Sequence, residues 1–326
     1  MTLGSLWFFL RRLDLHRVLE LVLSSHPGLI ALAVLVNLTL NTYTRVKRRL
    51  VLLVAAAGEA PPISLRELTW FFFASYAANN LLPARAGDLL FAVQLRARGY
   101  RVASVVAAQV SEKIVELASL WLLIPLTLWL TEMTTAMDRT LYLFLSAGAV
   151  AAILFLVVLR VRPPHPPHPP RPKPEPPRGG KVHRLWRRFR RSTRVALDSI
   201  RRIATRRVAL RALLWSCGQD ASDVLMVGLV ALAVGLHVGP GGWLLVYLAV
   251  NLASALPSTP GQIGLIEAGA VFALVGLGEG PNRALAFALL YHLAHLLPTT
   301  LLGLPLLLRL RWQETHRGGA PLSPSP

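Results

Sequence analysis

Asn79-Asn80-Leu81-Leu82-Pro83-Ala84-Arg85-Ala86-Gly87-Asp88-Leu89-Leu90 follows the apolar run 70–78, and its placement decides the fold. Pro83 removes a backbone donor and breaks a helix. A charge such as Arg85 or Asp88 costs about 3 kcal/mol or more at a bilayer centre. Irregular backbone at that depth survives only where protein or a water-filled cavity covers it. The stretch is therefore either a cytosolic loop or a broken helix lining a site.

A second copy favours the broken helix. Leu256-Pro257-Ser258-Thr259-Pro260-Gly261 repeats the Leu-Pro-x-x-x-Gly of Leu82 to Gly87, and it too follows an apolar run, 243–255. A chain with 24 prolines and 23 glycines also produces such a pair by chance, but corresponding placement in the two halves weighs against that. Paired Pro/Gly-interrupted apolar segments point to a transporter-type site at a repeat interface.

Composition agrees with a membrane setting. Of 326 residues 54% are hydrophobic, and the mean hydropathy is +0.50. Several apolar runs reach the roughly 20 residues that cross a bilayer as helix, and strand-type alternation is absent. The expected fold class is all-α, a polytopic transmembrane helical bundle. The net charge of +19 is no nucleic-acid signal. It concentrates in 160–207, where 16 of the 35 Lys and Arg residues stand against Glu175 and Asp198. Such a cluster orients membrane proteins and meets anionic lipid. Cys217 alone permits neither an internal disulfide nor a cysteine metal cluster, and the His165-Pro-Pro-His168 pair in a Pro tract is better read as composition than as a metal site. No metal or cofactor is expected.

In chain order, 1–10 is apolar but too short to span, and it runs into Arg11-Arg12 without a cleavage site. Residues 13–23 read as an amphipathic interfacial helix and 27–43 as a span, with Arg45, Lys47, Arg48 and Arg49 as its cytoplasmic flank. The interrupted segment 70–83 comes next, and Arg96, Arg98 and Arg101 mark the inside again. A long helix, 104–130, carries Glu112, Lys113 and Glu116. Glu132 and Asp138 mark an external loop, and 141–159 returns. Ten prolines between Pro163 and Pro177 make an extended linker. After it, 185–203 alternates apolar and arginine positions as a basic amphipathic helix on anionic headgroups or, equally, a solvated positive loop. Then come a span at 209–236 with Asp220 and Asp223, the arms 243–256 and 263–275 around the second turn, a span at 284–308 with His292 and His295, and Arg309 and Arg311 inside. Domain boundaries follow: an N-terminal transmembrane half, 1–160; a basic linker, 161–207; a C-terminal half, 208–312; and a disordered tail, 313–326.

Charge arithmetic fixes the hairpins. The linker and Arg309 are both inside, and two spans between them already make an even number of crossings. The arms around Pro257 and Gly261 therefore enter and leave from outside. The segment around Pro83, between two inside clusters, enters from inside. Two similar re-entrant hairpins of opposite entry make an inverted repeat; ordinary helix pairs are the plain alternative.

Asn80-x-x-Pro83-Ala84-Arg85-Ala86-Gly87-Asp88 resembles the Asn-x-x-Pro-x-Arg-x-Gly-Glu motif of the lysylphosphatidylglycerol synthase transmembrane domain, a flippase-like family. Glu112-Lys113-x-x-Glu116 resembles its Glu-Arg-x-x-Asp helix, with departures at Lys113 and Glu116. Pro257-x-x-Pro260-Gly261-Gln262-Ile263-Gly264-x-x-Glu267 resembles its Pro-x-x-Pro-Gly-Gly-Ile-Gly-x-x-Glu motif, with Gln262 in place of Gly. Tyr291-His292, Pro298 and Gly303 resemble its last helix, where an Arg often stands at the His292 position. The resemblance covers most of the chain outside the linker. It implies a multi-pass protein of the inner or plasma membrane that moves a phospholipid between leaflets, here without the soluble synthase domain of fused members. It also implies a first helix that is shortened or missing.

The candidate lipid-binding residues are Asn80, Pro83, Arg85, Gly87, Asp88, Glu112, Lys113, Glu116, Pro257, Pro260, Gly261, Glu267 and His292. Arg85 offers a planar fork suited to a phosphodiester. The carboxylates suit a cationic headgroup or hold Arg85 and Lys113, and Glu112 and Glu116 share one helix face; an interfacial charge cluster explains that helix nearly as well. Asp220 and Asp223 are expected to pair with linker arginines, and His292 and His295 to be hydrogen-bonded packing residues. No enzyme signature stands out. A lipid translocator comes first, ahead of a membrane-embedded transferase on a lipid-linked substrate and a non-transporting accessory or scaffold protein. Expected partners are membrane lipids, with anionic headgroups at the basic linker, and not nucleic acid; a homo-oligomer or a separate lipid-modifying enzyme stays open.

Overall fold

A computed structural model of the chain describes residues 14–58, 60–82, 86–131, 181–255 and 260–317. Pro83, Arg85 and Pro257 lie outside these residues, as do the expected short N-terminal run, external loop, returning span at 141–159 and proline linker. Every regular element among the described residues is a helix, and four helices are long and apolar enough to cross a membrane.

Helix α1, Leu15–Leu23, starts at Asp14, whose carboxylate accepts from the His16 and Arg17 amides. Its Val18 is buried, while Leu15, Leu19 and Leu23 are exposed along one stripe, as an interfacial helix requires. Helix α2, Pro27–Ala57, corrects the expected span. It is one 31-residue helix that carries Arg45, Lys47, Arg48 and Arg49 in its interior instead of beyond its end. No Gly or Pro interrupts 29–57, and the charges find partners within the bundle. A π-helical turn, Asn37–Asn41, widens it midway; such turns recur at functional sites.

Helices α3, Leu65–Leu81, and α4, Ala86–Ala97, form the first hairpin. Its neck is tight because Gly87 has no side chain: a Cβ there would stand 1.8 Å from the Ser75 carbonyl oxygen. Ser75 Oγ donates to the Gly87 carbonyl at 2.8 Å, and the Gly87 amide donates to Asn79 Oδ1 at 2.8 Å. Helix α5, Val102–Leu130, follows. Helix α6, Lys181–Ile203, has its C-terminal end against the bundle, where buried Ser199 donates to the Ala56 carbonyl at 2.9 Å. Helix α7 is Arg206–Val234. Helices α8, Pro240–Ser254, and α9, Leu265–Gly276, make the second hairpin, and α10, Pro281–Arg317, closes the fold.

Neighbouring contacts fix the directions. The His26 amide donates to the Ala233 carbonyl, and the Asp14 amide to Asn282 Oδ1. A Cβ on Gly241 would meet the Leu130 carbonyl at 2.5 Å. The starts of α1, α2, α8 and α10 therefore share one end with the ends of α5 and α7. At the other end, Ser199 Oγ joins Ser104 Oγ at 3.0 Å beside Ala56. That second end carries Arg98, Arg101, Arg201, Arg202, Arg206 and Arg207.

Both hairpins lie along α10, in opposite directions. The second hairpin flanks its first half, where Glu267 meets His292. The first flanks its later part, where Asn80 Nδ2 donates to Thr300 Oγ1 at 2.8 Å, and a Cβ on Gly303 would lie 2.1 Å from the Phe73 carbonyl oxygen. The two hairpins meet at the last turn of α3: a Cβ on Gly261 would lie 3.5 Å from the Asn80 carbonyl oxygen. The 3-10 turn Pro260–Gln262 that forms the second tip needs left-handed backbone, φ +68° at Gly261 and +58° at Gln262.

Candidate functional site

Two polar clusters occupy the bundle interior. The larger one starts from the π turn of α2, which turns Asn37 toward α10 and Asn41 toward α7. Asn37 Nδ2 donates to the Ala294 and His295 carbonyls at 3.1 Å, and Asn41 Nδ2 donates to Asp223. One turn on, Arg45 Nη2 reaches Asp223 Oδ2 at 3.1 Å, its Nε donates to Asn41 Oδ1 at 2.5 Å, and Nη1 donates to Tyr76 OH.

Arg48 is fully buried, at 0% exposure. Its Nη2 donates to Glu112 Oε1 at 2.9 Å and Glu116 Oε1 at 2.5 Å, and its Nη1 to Ser216 Oγ at 2.8 Å. Arg49 Nε grips both oxygens of Glu112, at 3.0 and 2.9 Å. Its guanidinium carbon lies 5.2 Å from the Phe72 ring centroid and 5.0 Å from that of Phe91, the geometry of cation–π contact. Lys113 completes the group with a 2.6 Å bridge to Glu116. A buried charge left alone is strongly destabilising, so the forks and carboxylates hold one another inside the bundle. A cleft between Arg49, Leu52, Phe91, Val105, Ala108 and Glu112 has room for about one water molecule.

The acids of α7 depart from expectation. Asp223 pairs with Arg45 and Asn41, and Tyr247 OH donates to Asp220 Oδ1 at 2.7 Å. Neither contact involves a linker arginine. Both acids sit mid-helix, level with α2 and α8, out of reach of the basic end.

The smaller cluster sits where the two hairpins meet. One ring nitrogen of His292, Nδ1, lies 2.6 Å from Glu267 Oε1, and the other, Nε2, lies 2.8 Å from the Gly261 carbonyl oxygen. Glu267 Oε2 also accepts from the Gly264 amide at 2.8 Å, capping α9. His292 is thus hydrogen-bonded within the fold, as expected, whereas His295 departs from expectation, its Nδ1 being buried with no hydrogen-bond partner among the described residues.

The structure gathers Glu112, Lys113 and Glu116 into the larger cluster, and Gly261, Glu267 and His292 into the smaller. Asn80 stands in the last turn of α3, and Pro260 opens the turn of the second hairpin. Gly87 and Asp88 form the neck of the first hairpin, where Asn79 Nδ2 donates to Asp88 Oδ1 at 3.3 Å and Gln109 Nε2 to the Asp88 carbonyl at 3.1 Å. Helix α3 connects the two clusters: Tyr76 meets Arg45, and Asn80, one turn on, meets Thr300. Reading the sequence missed the buried role of Arg45, Arg48 and Arg49 and the part played by Asn37, Asn41, Tyr76 and Tyr247. A usable signal was there: an uninterrupted helical stretch with cations in its middle, facing acids in two other apolar segments.

The family model of the lysylphosphatidylglycerol synthase transmembrane region matches residues 1–303. The chain belongs to this family. It is a multi-pass membrane protein. Within the family match fall both hairpins, both polar clusters and the candidate positions Asn80 to Asp88, Glu112 to Glu116, Pro257 to Glu267, and His292. No curated protein matches the chain.

Proposed function

We propose that this family member moves a phospholipid or related lipid between membrane leaflets, without enzymatic chemistry of its own, in the inner or plasma membrane. The observation that carries the reading is the meeting of two interrupted hairpins beside an ionic network in the bundle interior. Ionisable groups at membrane depth mark substrate paths by default. Interrupted hairpins that meet at mid-height are the architecture of alternating access. On this reading the hairpins are re-entrant, form an inverted repeat, and enter from opposite faces, with the arginine-rich end in the cytoplasm. Arg85, which falls between α3 and α4 in the sequence, takes the lipid phosphate. The basic helix Lys181–Ile203 rests on anionic headgroups. A homo-oligomer or a separate lipid-modifying enzyme fits as a protein partner.

The test is reconstitution in liposomes with fluorescent phospholipids of several headgroups, scored by the label accessible to an impermeant quencher. Faster equilibration than in protein-free liposomes for at least one headgroup supports the reading. Protein-free rates for every headgroup would sink it. One observation favours a second reading, an accessory or scaffold role: Arg45, Arg48 and Arg49 all rest on protein carboxylates, and the cleft beside Arg49 is only about water-sized.

A further inference from the structure

His292 faces a hydrogen-bond acceptor on each side. The Gly261 carbonyl oxygen has no proton to give, and neither does an ionised Glu267. A neutral imidazole carries one N–H and one lone pair. With Nδ1 2.6 Å from Glu267 Oε1 and Nε2 2.8 Å from the Gly261 oxygen, a neutral ring beside an ionised Glu267 would press one lone pair against another. Both contacts are satisfied together only when the pair holds one additional proton. Glu267 is fixed for this role, because its second oxygen is occupied by the Gly264 amide at 2.8 Å. His292 is nearly buried, with a side-chain exposure of 8%.

We propose that His292 and Glu267 form a binding site for one proton, and that this proton locks the second hairpin tip onto α10. With the proton bound, an imidazolium bridges the Gly261 carbonyl and the Glu267 carboxylate, so turn, α9 and α10 are held as one piece. When the proton leaves, one of the two contacts becomes repulsive, and the tip is freed from α10 beside Asn80 of the opposing hairpin. The lock is present at low pH and is lost as pH rises. Among the described residues, the other titratable or charged groups near the pair are Tyr291 and His295 on α10 itself, with Arg45 of α2 and Asp223 of α7 behind them. Arg45 and Asp223 neutralise each other through their ion pair. The proposal rests on the translocation reading only in treating the tip as the moving part.

The experiment uses the full chain in lipid nanodiscs. With 15N-labelled histidine, the signal that disappears in His292→Gln is expected to show both ring nitrogens protonated at pH 7, and to lose one proton in Glu267→Gln. A neutral ring in the wild-type protein at that pH overturns the proposal. Spin labels at Ile263→Cys and Leu302→Cys, in a Cys217→Ser background, then report the tip. A single distance at pH 5.5 and an added longer population at pH 9 are expected, with His292→Arg, a fixed cation, giving the single distance at both. Identical distributions at both pH values in the wild-type background overturn the lock. Lipid flux is measured separately. A pH-dependent lock in a protein that moves no labelled phospholipid leaves the proton site standing and removes the translocation reading. Flux in a protein whose His292 stays neutral does the reverse.

Discussion

Replacing Arg48 by Met removes a cation that touches Glu112, Glu116 and Ser216 together. Glu112 keeps Arg49 and Glu116 keeps Lys113, so the loss belongs at the lower end of the about 3–5 kcal/mol that breaking a buried pair costs. At roughly 2–4 °C per kcal/mol, the melting temperature should fall by about 6–12 °C. Met is an unbranched side chain of similar reach, so a cavity adds little. The assay is thermal unfolding in detergent, read by a thiol-reactive dye on Cys217, which is partly buried in the fold. The double variant Arg48→Met/Glu116→Gln should recover part of the loss, because it removes the facing charge as well. Arg48→Met melting within about 2 °C of wild type, the scale of an ordinary surface substitution, would refute the claim that this network holds the spans together.

Three further outcomes are expected. Thr135→Cys in a Cys217→Ser background should react with an impermeant thiol reagent in intact cells; reaction only after permeabilisation would reverse the assigned orientation. Gly303→Ala should cost about 1–3 kcal/mol by overpacking, since its Cβ would lie 2.1 Å from the Phe73 carbonyl oxygen, and an unshifted melting curve would show that α3 and α10 have room to spare. Arg85→Lys keeps the charge and loses the two-pronged grip on a phosphate; lipid flux should fall with the melting temperature unchanged, and full flux in a folded protein would take Arg85 out of the lipid site.

The sequence made the helical class, most of the elements and the two interrupted hairpins legible, because Pro and Gly act locally on the backbone. Leu82-Pro83 and Leu256-Pro257 advertise breaks wherever they stand. The burial of Arg45, Arg48 and Arg49 was not legible in the same way. Counting positive residues beside apolar runs treats each charge as solvated, and four cations after 27–43 then look like a flank. Their partners, Glu112, Glu116 and Asp223, sit on α5 and α7, and only the packed register of three helices shows that the charges cancel. The π turn at Asn37–Asn41 carries no Gly or Pro to announce it, yet it aims Asn41 and Arg45 at Asp223. The contact of Glu267 with His292 depends in turn on how α9 folds back along α10.

The two clusters differ in what they fasten, and this separates frame from moving part. Arg45, Arg48 and Arg49 join α2 to α5 and α7, all long spans. Pulling any one of these helices away strands a buried charge, so the three move as a unit. The hairpin tip is held by smaller means: the His292 contacts, and the close approach of Gly261 to Asn80 and Leu296. Breaking those leaves the ion pairs of the larger cluster intact. Helix α3 touches both sets, through Tyr76 at Arg45 and Asn80 at Thr300. A displacement at the tips therefore reaches the frame through the Tyr76 hydroxyl and the ring contacts of Phe72 and Tyr76 on Arg45 and Arg49, and leaves the Arg–carboxylate bridges in place. Bistable motion about a fixed core is available to this fold at the hairpins, and is resisted at the arginines.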